Sequence, residues 1–131
     1  MLLSSPHQKA EAESSFRLPE PDLASADACV RKARGNKTAA ADCFDPYDRM
    51  CKTRYSRRLM ECLPQEVAFW RAAVDQELAR VGSATARQIE NSIVGDIREH
   101  CNYSNPEFRE GCKRMVYNQA AVYLRIARLW K

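Results

Sequence analysis

Apolar side chains recur every three or four positions along most of this 131-residue chain. That spacing places them on one face of an α-helix, whereas strands would show strict alternation. The chain has four glycines and no Asn-Gly or Asp-Gly turn, so its pattern does not favour β-hairpins. The pattern predicts an all-α fold, with helices over about residues 22–34, 46–63, 65–81, 84–100 and 106–131, the second of them ended by Leu63-Pro64.

Cys101 and Cys112 mark the connection between the last two predicted helices. The polar run between them ends at Pro106, a residue suited to the first turn of a helix, with Ser104 or Asn105 as its N-cap. The chain should therefore turn back and bring Cys112 opposite the end of the preceding helix. A disulfide between Cys101 and Cys112 fits this geometry and would staple the two helices into a hairpin.

Four further cysteines make an even total of six, which is typical of a disulfide-bonded protein. None of the spacings is the two-residue gap of a zinc knuckle or a thioredoxin-like motif, so we expect no metal site and no cofactor. Cys43 and Cys51 bracket a short segment and are candidates to close a second loop. Cys29 and Cys62 would then pair with each other or remain thiols, although six cysteines allow fifteen connectivities and the sequence does not choose among them.

The N-terminal residues bear on the expected location. Their only apolar run is Leu2 and Leu3, which is too short for a secretory signal, and Glu11 and Glu13 are unusual in a mitochondrial presequence. No stretch reaches the roughly 20 apolar residues of a membrane-spanning helix. Small cysteine-paired helical proteins without such leaders are typical of the mitochondrial intermembrane space. We expect that location, peripheral to the inner membrane, with a trimmed secreted domain and a cytosolic protein with reduced cysteines as alternatives.

The chain divides by composition into an arm and a domain. Residues 1–24 hold three of the six prolines and few apolar side chains, so we expect an extended or disordered arm that a partner would order. Residues 25–131 would form the helical, cysteine-paired domain. The last predicted helix is too long for the preceding one to cover. Its apolar residues Tyr123, Ile126 and Trp130 are therefore predicted to face a partner.

The sequence carries no recognisable catalytic motif. It has only two histidines, and it contains no glycine-rich phosphate loop, nucleophile elbow or His-Glu-x-x-His pattern. We expect no catalytic residues and no enzymatic activity of its own. Residues 30–58 contain nine basic residues against three aspartates, which suits anionic lipid headgroups, an acidic protein surface or simply a solvated face. Nucleic-acid binding is not expected, because only Tyr55 would offer an aromatic contact there.

Residues 88–125 resemble the core of the PDSW-type accessory subunit of mitochondrial respiratory complex I. That family has a helix, a cysteine, a short polar turn, a second cysteine followed by a basic residue, and a long second helix. Cys101, Cys112 and Lys113 occupy those places in this chain. Some members of the family also have an upstream cysteine pair, which Cys43 and Cys51 resemble.

The resemblance implies a non-catalytic subunit on the intermembrane-space face of the membrane arm of the complex, a proton-pumping NADH:ubiquinone oxidoreductase. Such a subunit contacts other subunits of a large membrane complex and supports its assembly and stability. The redox and pumping residues would lie on other chains.

Two alternative resemblances cover less of the chain. Cys51 and Cys62, with the helix that follows them, are similar to the end of the twin-cysteine subunit VIb of cytochrome c oxidase, although the upstream half of that motif is missing. Cys101 and Cys112 are similar to the central hairpin of saposin-like lipid-binding domains. Those domains would also need cysteine pairs that clasp the first helix to the last.

Overall fold

The computed structural model describes residues 16–131, and in that part of the chain every regular element is a helix. The six α-helices are α1 Ala24–Lys32, α2 Lys37–Asp42, α3 Met50–Arg54, α4 Leu59–Leu78, α5 Ser83–His100 and α6 Pro106–Leu129. Two short 3-10 helices, Asp45–Tyr47 and Ser56–Arg58, flank α3. The predicted all-α fold class is therefore confirmed. Residues 1–15 of the predicted arm lie outside the described residues.

Three disulfides each close one helical hairpin, and together they use all six cysteines of the chain. Cys29 of α1 bonds to Cys43 just after α2, Cys51 of α3 bonds to Cys62 of α4, and Cys101 at the end of α5 bonds to Cys112 of α6. A disulfide across so short a loop contributes on the order of 3 kcal/mol to stability. The predicted Cys101–Cys112 staple is confirmed.

The predicted pairing of Cys43 with Cys51, and of Cys29 with Cys62, is wrong. Gly35, with φ of 88°, lies in the turn between α1 and α2, and this turn brings Cys43 within 5.9 Å of Cys29 between their Cα atoms. Cys43 packs against the α1 residues of the core, whereas Cys51 is buried beside α4. Each cysteine therefore pairs within its own hairpin rather than across the segment that separates two hairpins.

The three longest helices form the body of the molecule, and α6 is its central element. It packs along α4 for most of its length, on α5 near the stapled turn, and on α1 and α2 towards its C-terminus. Trp70 is fully buried at the α4–α6 interface, where Val74 of α4, Ile93 of α5 and Ala121 of α6 join it. Burial of these apolar side chains drives the three helices together.

A second core cluster joins the first hairpin to the end of α6. Val30 of α1 and Phe44 after α2 pack against Ile126 and Leu129 of α6. The Trp130 indole N–H donates to the Val30 carbonyl at 2.8 Å, which ties the C-terminus to α1. Two bidentate ion pairs border this region: Arg125 with Asp27 of α1, and Arg128 with Glu77 of α4.

The region predicted as one helix over 46–63 is divided in the structure. Arg49 adopts the left-handed conformation, with φ of 53°, so α3 starts only at Met50. The chain leaves the helix again at Tyr55 before α4 begins at Leu59. Pro64 lies inside α4 and does not end it, contrary to the prediction. Because Pro64 has no backbone N–H, α4 lacks one hydrogen bond near its start, and burial of the residues that follow outweighs that loss.

The extended segment that precedes α1 is held by its own chain. The Gln65 side chain accepts a hydrogen bond from the Leu18 N–H and donates one to the Phe16 carbonyl, both at 2.8 Å. The Phe16 ring meets Tyr55 edge-on at 5.0 Å between ring centroids, and it covers the Cys51–Cys62 disulfide. This part of the predicted arm is therefore ordered by an intramolecular contact rather than by a partner.

Candidate functional site: the exposed face of the last helix

Ten uncharged residues lie along one side of α6 from Phe108 to Ala127, a distance of about 28 Å along the helix axis. We call this side the α6 face; it consists of Phe108, Gly111, Cys112, Met115, Asn118, Gln119, Val122, Tyr123, Ile126 and Ala127. Phe108, Met115 and Tyr123 are 59%, 45% and 66% exposed. Large apolar groups that recur along the open side of a helix are typical of an interaction surface.

Glu107 is exposed at the start of α6, and the other six charged residues of this helix form ion pairs. The pairs are Arg114 with Asp48, Arg125 with Asp27, Arg128 with Glu77, and Glu110 with Arg109 and Lys113. By contrast, the open side of α5 is mostly polar, with residues such as Arg87, Glu90 and Arg98 exposed. The exposed side of α6 is therefore more apolar than that of α5.

Two grooves border the α6 face. The C-terminal groove, of about 620 Å³, lies between α6 and the α2 region, with Phe44, Val122, Ile126 and Trp130 among its apolar lining. Its polar lining includes Lys37 and the acidic side chains of Asp42, Asp45 and Asp48. The N-terminal groove, of about 580 Å³, lies between α6 and the α3–α4 hairpin; its lining comprises Arg49, Lys52, Leu59, Leu63, Glu66, Tyr103, Glu107, Phe108, Gly111, Cys112, Arg114 and Met115.

The three residues predicted to face a partner differ in their exposure to solvent. Ile126 is only 6% exposed, and Trp130 is partly buried with its indole N–H bonded to Val30. The sequence-based expectation that both lie uncovered is therefore wrong, because α1 and α2 of the same chain fold over them. Tyr123 does project into solvent. Edges of all three residues line the C-terminal groove.

A polar cluster of Glu66, Arg114 and Asp48 borders both grooves, and the sequence pattern did not predict it. The Glu66 carboxylate is fully buried and accepts hydrogen bonds from the backbone N–H groups of Met50 at 2.9 Å and Cys51 at 3.4 Å. Arg114 donates to Asp48 at 2.9 Å and attracts Glu66 electrostatically. Burial raises the pKa of Glu66 above its ordinary value, and the nearby Arg114 charge opposes that rise.

The sequence did contain a signal for this glutamate. Cys62, Glu66 and Trp70 follow one another at four-residue intervals, so they share one face of α4, and all three are fully buried. A glutamate in such a row needs a partner inside the protein. Glu77 is likewise buried, and its partner is Arg128.

Within residues 16–131, no three His, Cys, Asp or Glu side chains come together as a metal site. His100 is exposed, and its Nε2 lies 3.9 Å from Glu99. Of the helices in this range, none is long and apolar enough to cross a membrane. All six cysteines are in disulfides, so the chain presents no free thiol.

The fold and the α6 face define a small helical protein, stapled by disulfides, with exposed apolar side chains along its last helix. Comparison with protein-family models, with curated proteins and with solved structures finds no match to this chain. All three disulfides close local hairpins, so the clasp between first and last helices that a saposin-like domain needs is not formed.

Proposed function

We propose that this chain is a non-catalytic structural subunit of mitochondrial respiratory complex I, peripheral to the inner membrane on its intermembrane-space side. The observation that carries the proposal is the stapled α5–α6 hairpin, because it is formed by the segment that resembles the PDSW-type subunit. Three disulfides in a helical protein of this size also suit an oxidising compartment.

The C-terminal groove is the proposed docking site for a neighbouring subunit. Tyr123 stands 66% exposed at its edge, and Val122 adds apolar surface beside it. Exposed aromatic side chains beside an apolar groove are typical anchors of protein interfaces. The disulfides hold the helices that form the groove, so the chain would act as a rigid clamp between subunits.

The first test is co-migration. Solubilised mitochondrial membranes are run on a native gel, and the band that contains this chain is identified by mass spectrometry. We expect it to migrate with NADH dehydrogenase activity. Recovery of the chain only as a free small protein, or outside mitochondria, would contradict the proposal.

The second test changes the docking surface without changing the fold. Tyr123→Glu places a charge at the groove, whereas Val94→Glu places the same charge on α5, where Val94 is 42% exposed. We expect Tyr123→Glu to lower the fraction of chain in the complex at least tenfold, and Val94→Glu to leave it unchanged. Equal incorporation of both variants would exclude the C-terminal groove as the docking site.

A second candidate is a subunit VIb-like component of cytochrome c oxidase. The Cys51–Cys62 disulfide favours it, because the resemblance to that subunit rests on this cysteine pair and the helix that follows. The same native gel distinguishes the two candidates. Migration with cytochrome oxidase activity, and not with NADH dehydrogenase, would select this second function.

A further inference from the structure

The N-terminal groove combines apolar walls with basic side chains at its opening. Leu59 and Leu63 of the α3–α4 hairpin face Phe108 and Met115 of α6 across it. Phe108 is 59% exposed and Met115 45% exposed, so this apolar surface is open to solvent in the folded chain. A surface of this kind favours a ligand that carries a hydrocarbon chain.

Aromatic side chains extend the groove to the stapled turn. Tyr103 and Phe108 meet edge-on, at 6.2 Å between ring centroids, and both rings are about half exposed. Aromatic rings with one apolar and one solvated side favour the boundary between lipid and water. The tip of the α5–α6 hairpin therefore has the composition of a surface that rests at that boundary.

The basic side of the groove lies on the segment around α3. Arg49 and Lys52 line the groove and are exposed, and the ten residues from Arg49 to Arg58 hold five basic side chains and no acidic one. Each lysine or arginine close to an anionic membrane strengthens binding about fivefold. The groove thus places positive charge next to an apolar surface that an acyl chain can contact.

Acidic groups in and beside the groove offset part of this charge. Glu66 is fully buried and is satisfied by the backbone N–H groups of α3, so it does not face a ligand at the opening. Asp48 lines the C-terminal groove; it bonds to Arg114 and lies 4.0 Å from Arg49, so it offsets part of the Arg49 charge. Glu107 is the one exposed acidic residue of this lining.

We propose that the N-terminal groove binds an anionic phospholipid at a bilayer surface, with the phosphate on Arg49 and Lys52 and the upper acyl chain against Leu63, Phe108 and Met115. An acidic peptide would satisfy the basic side chains alone, whereas an anionic amphiphile satisfies both walls of the groove. This lipid binding rests on the peripheral membrane location proposed above. The lipid would attach the chain to the membrane through a different groove from the one that docks a subunit.

The test uses the oxidised full-length chain and lipid vesicles, so it is independent of assembly into any complex. Sedimentation is measured with vesicles of phosphatidylcholine and with an equimolar mixture of phosphatidylcholine and phosphatidylglycerol. We expect binding to the anionic vesicles only. Arg49→Gln/Lys52→Gln should weaken that binding at least about tenfold. Phe108→Ser, at an exposed position, should weaken it without lowering the melting temperature.

The matched control is Arg87→Gln/Arg98→Gln, which removes the same charge from exposed positions on α5. We expect this control to change binding less than about twofold. An equal loss in both charge variants would show that net charge alone drives binding, and it would overturn the proposal. Absence of binding to anionic vesicles would overturn it as well, even if the native gel places the chain in complex I. Tight binding of polyglutamate without vesicle binding would reassign the groove to an acidic polypeptide.

Discussion

The carboxylate of Glu66 accepts a hydrogen bond from the backbone N–H of Met50, at 2.9 Å, and thereby caps a helix that has no cap of its own. The N-cap position of α3 is Arg49, whose side chain makes no capping bond. The first N–H groups of a buried helix end need an acceptor, and a carboxylate is favoured there by the helix dipole. A side chain from α4 therefore completes α3, and the two helices depend on each other.

The first prediction concerns the pH dependence of stability. Burial raises the pKa of Glu66 in the folded chain, so folding favours its protonated form. The stability that this group contributes is fully present below the unfolded pKa, about 4.3, and it is lost as the pH rises through the higher folded pKa. Glu66→Gln removes the titration. We therefore expect the free energy of unfolding of the wild type to fall relative to Glu66→Gln as the pH rises above about 4.3.

Urea denaturation from pH 4 to pH 8, with the disulfides intact, measures this difference. Glu90→Gln, at an exposed position on α5, is the control for the change of a carboxylate to an amide. A wild type that gains stability over Glu66→Gln as the pH rises would show that the Arg114 charge and the two backbone N–H groups outweigh burial.

The second prediction concerns the ion pair that ties α6 to α4. Arg128 donates two hydrogen bonds to Glu77, at 2.7 and 3.1 Å, and Glu77 is only 6% exposed. Arg128→Met leaves that carboxylate with the more distant Arg125, 3.9 Å away. We expect a loss of about 2 kcal/mol in the free energy of unfolding, because a nearly buried charge loses its main partner.

A double-mutant cycle separates the pair from simple packing effects. Arg128→Met combined with Glu77→Met should cost less than the sum of the two single changes by at least about 1 kcal/mol. Arg98→Met, at an exposed position on α5, should change stability by no more than about 0.5 kcal/mol. Additive losses in the cycle would mean that the two side chains do not act as a pair.

The sequence predicted the long elements well and the short ones poorly. The apolar repeats of α5 and α6 gave their positions to within one or two residues, and Asn105 caps α6 as one of the two expected candidates. The helix α2 was missed, because its six residues, KTAAAD, are too few to show an apolar period. Its signal is the Asn36 side chain, which accepts a hydrogen bond from the Ala39 N–H at 3.0 Å.

The site was less predictable than the fold. Tyr123 was identified as an exposed residue from its place on a long helix, but the same argument failed for Ile126. Ile126 is buried by residues of α1, which lie nearly 100 positions away in the sequence, and a local pattern cannot reveal that contact. The N-terminal groove was not predicted for the same reason, since Leu63 and Phe108 meet only in the folded chain.

The third prediction is the disulfide connectivity. Trypsin has cleavage sites between every pair of cysteines in this chain, so digestion without reduction can distinguish the possible pairings. We expect three cross-linked peptide pairs: 18–31 with 38–49, 50–52 with 59–71, and 99–109 with 110–113. Mass spectrometry before and after reduction identifies each pair. A link between peptides 38–49 and 50–52 would instead support pairing of Cys43 with Cys51.

The last prediction concerns the segment before α1, which Gln65 holds through two hydrogen bonds. Gln65→Ala removes both, and the Leu18 N–H then loses its acceptor. We expect hydrogen exchange of the Leu18 amide to become at least about fivefold faster, since each such bond stabilises by about 1 kcal/mol. Exchange at Trp70, in the core of α4, should stay unchanged. Gln88→Ala on α5 provides the control, because Gln88 is exposed there. Unchanged exchange at Leu18 in Gln65→Ala would mean that the Phe16–Tyr55 contact alone holds this segment in place.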